Sequence, residues 1–297
     1  MSIAQRLYEA GHITYMRTDS TNLGAQAHAQ IKSVVEASYG ASYYQHHVYS
    51  KKSKNAQEAH EAIRPTHLNI EHAGATDEQK RLYQLIWGRT VASQMKDAEV
   101  MRTKVVANPS SPGSSGHSDS EGLQTRTRPS VPDFWLNGSR VLFPGWMKAD
   151  PASVGEDVIL PKFSTDDALK LSGIESEEKQ TEPPSRYSEA GLIKELEKRG
   201  IGRPSTYASI IKTLDERGYV TKENKALRPT DTGDVVSSFL EANFATYISD
   251  SFTAEMEDEL DEIANGERSY VKTLKDFYTP FLKELKSKDK IEKITNL

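Results

Sequence analysis

A tyrosine and an arginine stand two residues apart in the segment GHITYMRTDST, which begins at Gly11. Its Ile, Thr and Tyr content predicts a short strand or extended segment, and if it is extended Ile13, Tyr15, Arg17 and Asp19 share one face. An isolated phenol titrates near pH 10, and a neighbouring guanidinium favours the phenolate and can hold a phosphate oxygen as charge develops there. Attack by Tyr15 on a phosphodiester would give a phosphotyrosine ester that the reverse step can reseal. The alternative is packing in a half-buried strand, which the spacing alone favours.

A histidine and an arginine four residues apart, His60 and Arg64, form a second candidate in QEAHEAIRPT. A helical turn would place the two side chains on one face, where they suit an anionic, phosphate-bearing ligand. The segment is not the zinc-binding H-E-x-x-H, because Arg64 stands where the second histidine ligand would be. An exposed helix end before Pro65 is the alternative.

The third candidate is the glycine-rich turn in KRGIGRPSTYASII. Gly200 and Gly202 allow the backbone to approach a ligand closely, and Arg203 can contact a phosphate. Ser205 and Thr206 open a helix, and a helix N-terminus favours anions. Walker-A and G-x-G-x-x-G spacings are absent, so the turn is not a nucleotide loop. An ordinary turn between two helices remains open as the alternative.

The composition describes a globular chain of 297 residues, with 36% apolar and 27% charged residues and room for two or three domains. No apolar run is long enough to span a bilayer, no signal-peptide pattern opens the chain, and the absence of cysteine excludes disulfides and zinc–thiolate sites. The net charge of −5 gives no global case for nucleic acid, although basic residues recur between residues 194 and 228. The acidic run 255–262 predicts a solvated helix face opposite Met256, Leu260 and Ile263.

Periodicity and turn residues divide the chain into three regions. Residues 1–99 are predicted to be mainly helical, residues 100–183 β-rich with a disordered Ser/Gly/Pro loop near 108–130, and residues 184–297 helical. In the third region, helices capped by Ser188 and Ser205 precede a hairpin with its turn at Glu223–Asn224. That order is typical of a winged helix-turn-helix.

The motifs, in order, resemble those of the bacterial type IA DNA topoisomerases. The resemblance is carried by ITYMRTDST, AQEAHEAIRPT, YSEAGLIKELEKRGIGRPSTYASIIKTLDERGYV, LRPTDTGDVVSSFL and FTAEMEDELDEIANG. It implies a multi-domain α and β fold, a clamp with two mainly helical domains, including winged-helix elements, joined by a β-rich arch. The three regions above would be the tyrosine-bearing domain, the arch and the DNA-binding base.

The resemblance also implies an activity, which is ATP-independent cleavage and religation of single-stranded DNA that relaxes negative supercoils. Tyr15 would join the 5′-phosphate of the cleaved strand, Arg17 would act at the scissile phosphate, and His60 would match the family's active-site histidine. The remaining predicted DNA contacts are Thr14, Thr18, Asp19, Ser20, Arg64, Arg203, Ser205 and Thr206. The expected protein is a monomer in the cytoplasm, at the nucleoid, with single-stranded or negatively supercoiled DNA as its partner.

The chain departs from the family at both ends. Family members carry a metal-binding (toprim) domain that supplies a Glu, a Lys and a D-x-D-x-E cluster, and nothing in this sequence matches it. The family resemblance therefore implies Mg²⁺, but the residues that would bind it are absent from this sequence. The family's C-terminal zinc ribbons are absent as well. The expectation is the middle and rear of a topoisomerase, whether a fragment, a split gene or a decayed copy, needing the missing domain for full activity. A non-catalytic DNA-binding remnant and a helical interaction protein are the alternatives.

Overall fold

The computed structural model describes residues 1–49, 60–108, 133–165, 167–289 and 291. Its described residues form eight α-helices, four strands in two antiparallel pairs and three short 3-10 helices. The helices are α1 (Ser2–Glu9), α2 (Ala25–Ser38), α3 (Asp77–Ala92), α4 (Glu189–Lys198), α5 (Tyr207–Glu216), α6 (Asp231–Ile248), α7 (Asp250–Ala264) and α8 (Tyr270–Ser287). The strands are β1 (Glu99–Ala107), β2 (Phe134–Phe143), β3 (Val220–Glu223) and β4 (Ala226–Pro229), and the 3-10 helices are Ala41–Tyr43, Gly145–Lys148 and Pro151–Ser153.

The chain forms two compact units, each assembled from separated stretches of sequence. The first unit contains residues 1–23, 49–63 and 181–297, and the second contains residues 24–48 and 64–180. The three-domain division at residues 99 and 183 stays a prediction. The predicted disordered loop near 108–130 lies outside the described residues except at its first residue, Asn108, whose amide donates to Asp133 at 2.7 Å.

The core of the second unit lies between α2 and α3. Ala27, Ile31 and Val35 are buried on α2 at helical spacing. On α3, the Tyr83 hydroxyl donates to the carbonyl of Ile70 at 2.6 Å, and the Trp87 indole N–H donates to the carbonyl of Leu68 at 2.9 Å. Two aromatic side chains can be buried here because each polar atom finds a backbone acceptor.

The two long strands of the second unit form a ribbon, which we define as β1 and β2. The strands are antiparallel and in register from Val100 opposite Val141 to Ala107 opposite Phe134. An isolated bridge joins Ser139 of β2 to Val158. The alternation of residues 99–107 predicts a strand, and β1 confirms that strand.

The winged-helix order predicted for the first unit is present. Ser188 caps α4 by accepting from the N–H of Gly191 at 3.1 Å, as predicted. β3 and β4 pair around the two-residue turn Asn224–Lys225, whose positive φ angles of 47° and 70° are those of a type I′ hairpin. The turn therefore lies one residue beyond its predicted position, since it takes the residue type that best tolerates positive φ as its first central residue.

Helices α6, α7 and α8 meet through aromatic rings. The Tyr247 ring makes edge contacts with Phe252, Phe277 and Phe281, at centroid distances of 5.2 to 6.1 Å. The predicted burial of Leu260 on α7 is wrong, because that side chain is about half exposed (49%). None of the described helices is long and apolar enough to cross a membrane.

Candidate active site around Tyr15

The segment that carries Tyr15 is not a strand. The backbone bends at residues 12, 14, 16 and 17, and the deeply buried side chains are Ile13 and Met16, with 1% and 5% of their surface exposed. Their spacing of three residues differs from the alternation of a regular strand. The shared face of Ile13, Tyr15, Arg17 and Asp19, which depended on an extended segment, stays a prediction. The segment makes a single-residue β-bridge at Ile13 and belongs to none of the four described strands, and the two buried apolar residues anchor it.

The Tyr15 ring lies between two other aromatic side chains of the same unit. The Tyr8 ring meets it edge-on at a centroid distance of 5.4 Å, and the His60 ring lies at 5.3 Å, tilted by 47°. Tyr8 lies in the last turn of α1, and Gly11, with a φ of +73°, turns the chain between that helix and Tyr15. The sequence analysis missed Tyr8, since a glycine turn removes any fixed spacing between a helix and the segment that follows.

The stretch that carries His60 is extended beside the Tyr15 segment. The N–H of Ala62 donates to the carbonyl of Asn22 at 2.8 Å, and the Thr14 hydroxyl donates to the carbonyl of Ala62 at 2.7 Å. The predicted helical turn from His60 to Arg64 is therefore wrong, since Pro65 disfavours helix at the residue before it and these bonds favour an extended path.

His60 and Arg64 fall into different units. Arg64 belongs to the second unit, where its guanidinium donates to the carbonyl of Pro65 at 2.9 Å. The structure brings His60 to Tyr15 through the extended stretch, rather than pairing it with Arg64 on one helix face.

Three buried polar atoms near Tyr15 have no hydrogen-bond partner among the described residues. They are Arg17 Nε, Asp19 Oδ1 and His60 Nδ1. Buried polar atoms in folded proteins are almost always satisfied, so such a group points to a ligand. A phosphate oxygen would satisfy the guanidinium nitrogen, and a hydroxyl or base N–H would satisfy the carboxylate.

The hydroxyls beside Tyr15 organise the backbone of the same segment. Thr18 Oγ1 accepts from the N–H of Ser20 at 3.0 Å, and Ser20 Oγ accepts from the N–H of Asn22 at 3.2 Å. These are local side-chain turns, which hold residues 18–22 without a strand or helix.

The glycine-rich turn lies between α4 and α5. Gly200 and Gly202 take φ angles of +75° and +76°, and a Cβ on Gly202 would come within 3.0 Å of the Tyr207 ring. Thr206 Oγ1 accepts from the N–H of Arg203 at 2.9 Å. Helix α5 begins at Tyr207 with Thr206 before it, so the predicted cap at Ser205 was wrong, because Thr206 is the residue that binds back into the turn.

Arg203 is buried and bound to carboxylates of α7. Its guanidinium lies 2.8 Å from Asp261 Oδ2 and 3.6 Å from Glu257 Oε2, and it donates to the carbonyl of Gly202 at 2.8 Å. The acidic run is therefore more than a solvated face, since part of it neutralises this cation. In this structure Arg203 holds the turn onto α7, and its predicted contact with DNA stays a prediction.

Tyr207, the first residue of α5, has a perturbed phenol. Burial raises the pKa of its phenol, and the negative charges of Glu197 and Asp19 raise it further, while the positive charge of Arg203 lowers it. The charge of Asp19 therefore reaches the turn. Tyr207, like Tyr8, was not singled out from the sequence.

Tyr207 makes stability depend on alkaline pH. Its pKa in the folded chain lies above that of the unfolded chain, near 10, so its stabilisation is complete below about pH 10 and is lost as pH rises through the folded value. We expect Tyr207→Phe to remove a pH dependence of up to about 1.4 kcal/mol per pH unit, the limit for one proton. Urea unfolding at about pH 9 and about pH 11 measures the slope. An identical slope in wild type and Tyr207→Phe would contradict the assignment, and Tyr270→Phe is the exposed control.

A Mg²⁺ ion would need a cluster of oxygen ligands. The described ranges contain no group of three or more His, Cys, Asp or Glu side chains arranged to hold a metal ion. The described residues therefore do not fit the cation that the family resemblance implies.

Comparisons with known proteins agree on one family. A family model described as DNA topoisomerase matches residues 1–275. DNA topoisomerase 1 of Pseudomonas aeruginosa is 43% identical over 302 residues, covering 99% of this chain and 32% of the relative. DNA topoisomerase 1 of Escherichia coli is 42% identical over 301 residues, with the same coverage of 99% and 32%. The chain thus spans about a third of the length of these curated relatives.

A solved structure agrees with the sequence comparisons. Full-length topoisomerase I from Thermotoga maritima superposes with a TM-score of 0.79 at 35% identity, covering 98% of this chain and 46% of that one. This likeness confirms the predicted mixed α and β, type IA topoisomerase-like fold. The family match, the identities and the superposition show that the chain belongs to the bacterial type I DNA topoisomerases.

Proposed function

We propose that Tyr15 cleaves and rejoins single-stranded DNA through a 5′-phosphotyrosine intermediate, in a protein that relaxes negatively supercoiled DNA without ATP. The observation that carries the proposal is the contact of the His60 ring with that of Tyr15, together with unsatisfied buried atoms on His60 and on Arg17 and Asp19 of the Tyr15 segment. Membership of the topoisomerase family supports the same chemistry.

The proposed step is a transesterification. The Tyr15 phenol oxygen forms a bond to the scissile phosphorus, and the bond from phosphorus to the 3′ oxygen of the preceding nucleotide breaks. The phenol loses its proton, the departing 3′ oxygen gains one, and the reverse step restores the strand. The ester keeps the energy of the broken bond, so religation needs no nucleotide cofactor.

The neighbours of Tyr15 have separate roles in this proposal. Arg17 stabilises the negative charge that develops on the phosphate oxygens, because its buried guanidinium needs an acceptor. His60, whose ring contacts that of Tyr15, is positioned to donate to the phosphate or carry a proton. Asp19 accepts from a sugar hydroxyl or a base of the bound strand.

The proposed DNA contacts also include residues of the Tyr15 segment, of the stretch after His60 and of the turn before α5. Backbone and hydroxyl groups of the segment that carries Tyr15, and of the turn before α5, would contact sugar and phosphate. The residues proposed for these contacts are Thr14, Thr18, Ser20, Arg64, Arg203, Ser205 and Thr206.

The proposal includes a separate metal-binding (toprim) domain as partner. Mg²⁺ would help to position DNA and assist religation when held by that domain, since the described residues offer no suitable cluster. Full activity of this chain, as a monomer in the cytoplasm at the nucleoid, is proposed to need that domain.

The test determines which end of the cleaved strand is joined to the protein in a trapped covalent adduct. The chain is incubated with a single-stranded oligonucleotide labelled at either end, alone and with the metal-binding portion of the Escherichia coli relative plus Mg²⁺, and the reaction is stopped with denaturant. We expect the label to remain on the protein when it is on the 3′ end, because the cleaved 5′-phosphate stays joined to Tyr15.

Two outcomes contradict the proposal. If the protein retained a label placed on the 5′ end, the tyrosine would be joined to a 3′-phosphate rather than to the proposed 5′-phosphate. Salt-dependent strand binding without any adduct, even with the metal-binding portion present, would favour the alternative of a non-catalytic DNA-binding remnant.

A further inference from the structure

The ribbon of the second unit has two faces of different character. Residues opposite each other on antiparallel strands share a face, and successive residues alternate between faces. The first face, which we call the basic face, comprises Val100, Arg102, Lys104 and Val106 of β1 with Trp135, Asn137, Ser139 and Val141 of β2. The opposite face comprises Met101, Thr103, Val105 and Ala107 with Phe134, Leu136, Gly138 and Arg140.

The opposite face is covered at its centre, since a Cβ on Gly138 would lie 2.5 Å from Leu160 Cγ. The basic face presents the more exposed of two aromatic rings, since Phe134 on the opposite face is 48% exposed. Trp135 is 64% exposed, and Lys104 Nζ lies 5.5 Å from its ring centroid. A cation over one side of the indole orients the ring and places positive charge beside it.

Apart from Glu99 at the start of β1, the charged residues of the ribbon are basic. The stretches 100–107 and 134–143 contain three basic residues, Arg102, Lys104 and Arg140, and no acidic residue. Arg102 and Lys104 are two positions apart on the basic face, so their backbone positions are about 7 Å apart along β1. Asn137 and Ser139 lie opposite them and add hydrogen-bonding groups.

We propose that the basic face is a second binding surface for single-stranded nucleic acid, with an unpaired base stacked on Trp135 and phosphates on Lys104 and Arg102. A basic surface bearing an exposed aromatic ring matches the two repeating features of a single strand, its charged backbone and its flat bases. An acidic peptide would use the cations without the indole, and a lipid surface would not favour the polar groups that surround the ring. The surface lies in the unit that does not contain Tyr15, so it goes beyond the proposed cleavage and needs binding alone.

Tryptophan fluorescence can report binding at this surface, because Trp135 lies on it. We expect oligo(dT) to quench part of the emission of the chain, and we expect Trp135→Phe to remove that part, since Trp87 is buried. The third tryptophan, Trp146, is partly exposed, so Trp146→Phe is the control and should keep the quench. Titrations are made with Tyr15→Phe protein, so that cleavage plays no part and the two proposals succeed or fail separately.

Matched variants on the two faces test the cations. Arg102→Ala and Lys104→Ala are each expected to weaken the quench titration several-fold and to lower the slope of log affinity against log salt by about 0.7, the value for one phosphate contact of a single strand. Arg140→Ala and Phe134→Ala, which change a cation and an aromatic ring on the opposite face, should leave the titration unchanged.

Three results would overturn the proposal. The quench could persist in Trp135→Phe, the opposite-face variants could weaken the titration as much as the basic-face variants, or duplex DNA could compete as well as oligo(dT). The last outcome would exclude stacking of an unpaired base, because the bases of a duplex are already stacked. Circular dichroism of each variant checks that the ribbon remains folded.

Discussion

Replacing Tyr15 by phenylalanine is expected to lower the yield of covalent protein–DNA adduct by more than about 10⁴-fold, as the loss of a nucleophile does in other enzymes. The substitution removes one oxygen atom and keeps the ring, so the contacts with Tyr8 and His60 are retained. Binding of a single strand should therefore change by no more than about twofold, the effect of about 0.5 kcal/mol. The yield is measured after denaturation with the metal-binding portion and Mg²⁺ present, and binding by fluorescence anisotropy.

Tyr8→Phe is the matched control for this experiment. Tyr8 has the same chemistry and lies edge-on to Tyr15, yet it is 40% exposed at the end of α1, and its ring rather than its hydroxyl defines the contact. We expect Tyr8→Phe to form the adduct at the wild-type level. An adduct that survives in Tyr15→Phe and disappears in Tyr8→Phe would move the nucleophile to Tyr8.

The second large effect concerns the buried cation of the turn before α5. Arg203→Ala should lower the free energy of unfolding by about 2–3 kcal/mol, because it leaves the carboxylates of Glu257 and Asp261 without their shared cation. This lies below the 3–5 kcal/mol usual for breaking a fully buried pair, since Asp261 is half exposed and partly screened by solvent. The loss of the hydrogen bond to the Gly202 carbonyl contributes to the same cost. Urea unfolding followed by circular dichroism measures the change.

Arg217→Ala provides the comparison, because Arg217 is an exposed arginine at the other end of α5. Its effect on stability should stay within about 0.5 kcal/mol. If Arg203→Ala leaves stability unchanged and instead lowers the salt dependence of DNA binding, the guanidinium contacts phosphate, and the contact with α7 contributes little. Measurements of stability and of DNA binding on this one variant therefore distinguish a structural role of Arg203 from a role in phosphate binding.

The candidate site mixes residues that the sequence identified with residues that it did not. Tyr15, Arg17 and His60 were selected from residue types and from the family resemblance, and the structure brings the rings of Tyr15 and His60 within 5.3 Å. Tyr8 and Tyr207 were missed, because neither has a motif of its own. Each follows or precedes a glycine turn, and the groups that it meets cannot be read from spacing.

The sequence by itself determined the local structure. The glycines at 11, 200 and 218 all take positive φ shortly after the end of a helix, and Ser188 caps the helix that it was predicted to cap. These features depend on a few neighbouring residues, since a helix end is decided by groups within one turn of it. The winged-helix order and the antiparallel ribbon follow for the same reason, from turn residues and alternation over short stretches.

Only the tertiary structure decided how distant segments meet. The Tyr15 segment has the composition of a strand but forms only a single-residue bridge at Ile13, and buried Ile13 and Met16 and the bond from Thr14 to Ala62 hold it in place. Arg203 has the sequence context of a phosphate ligand, yet carboxylates 54 and 58 residues away on α7 bind its guanidinium. Burial and charge neutralisation act between residues far apart in the chain, and the periodicity of one segment carries no record of the groups it will meet.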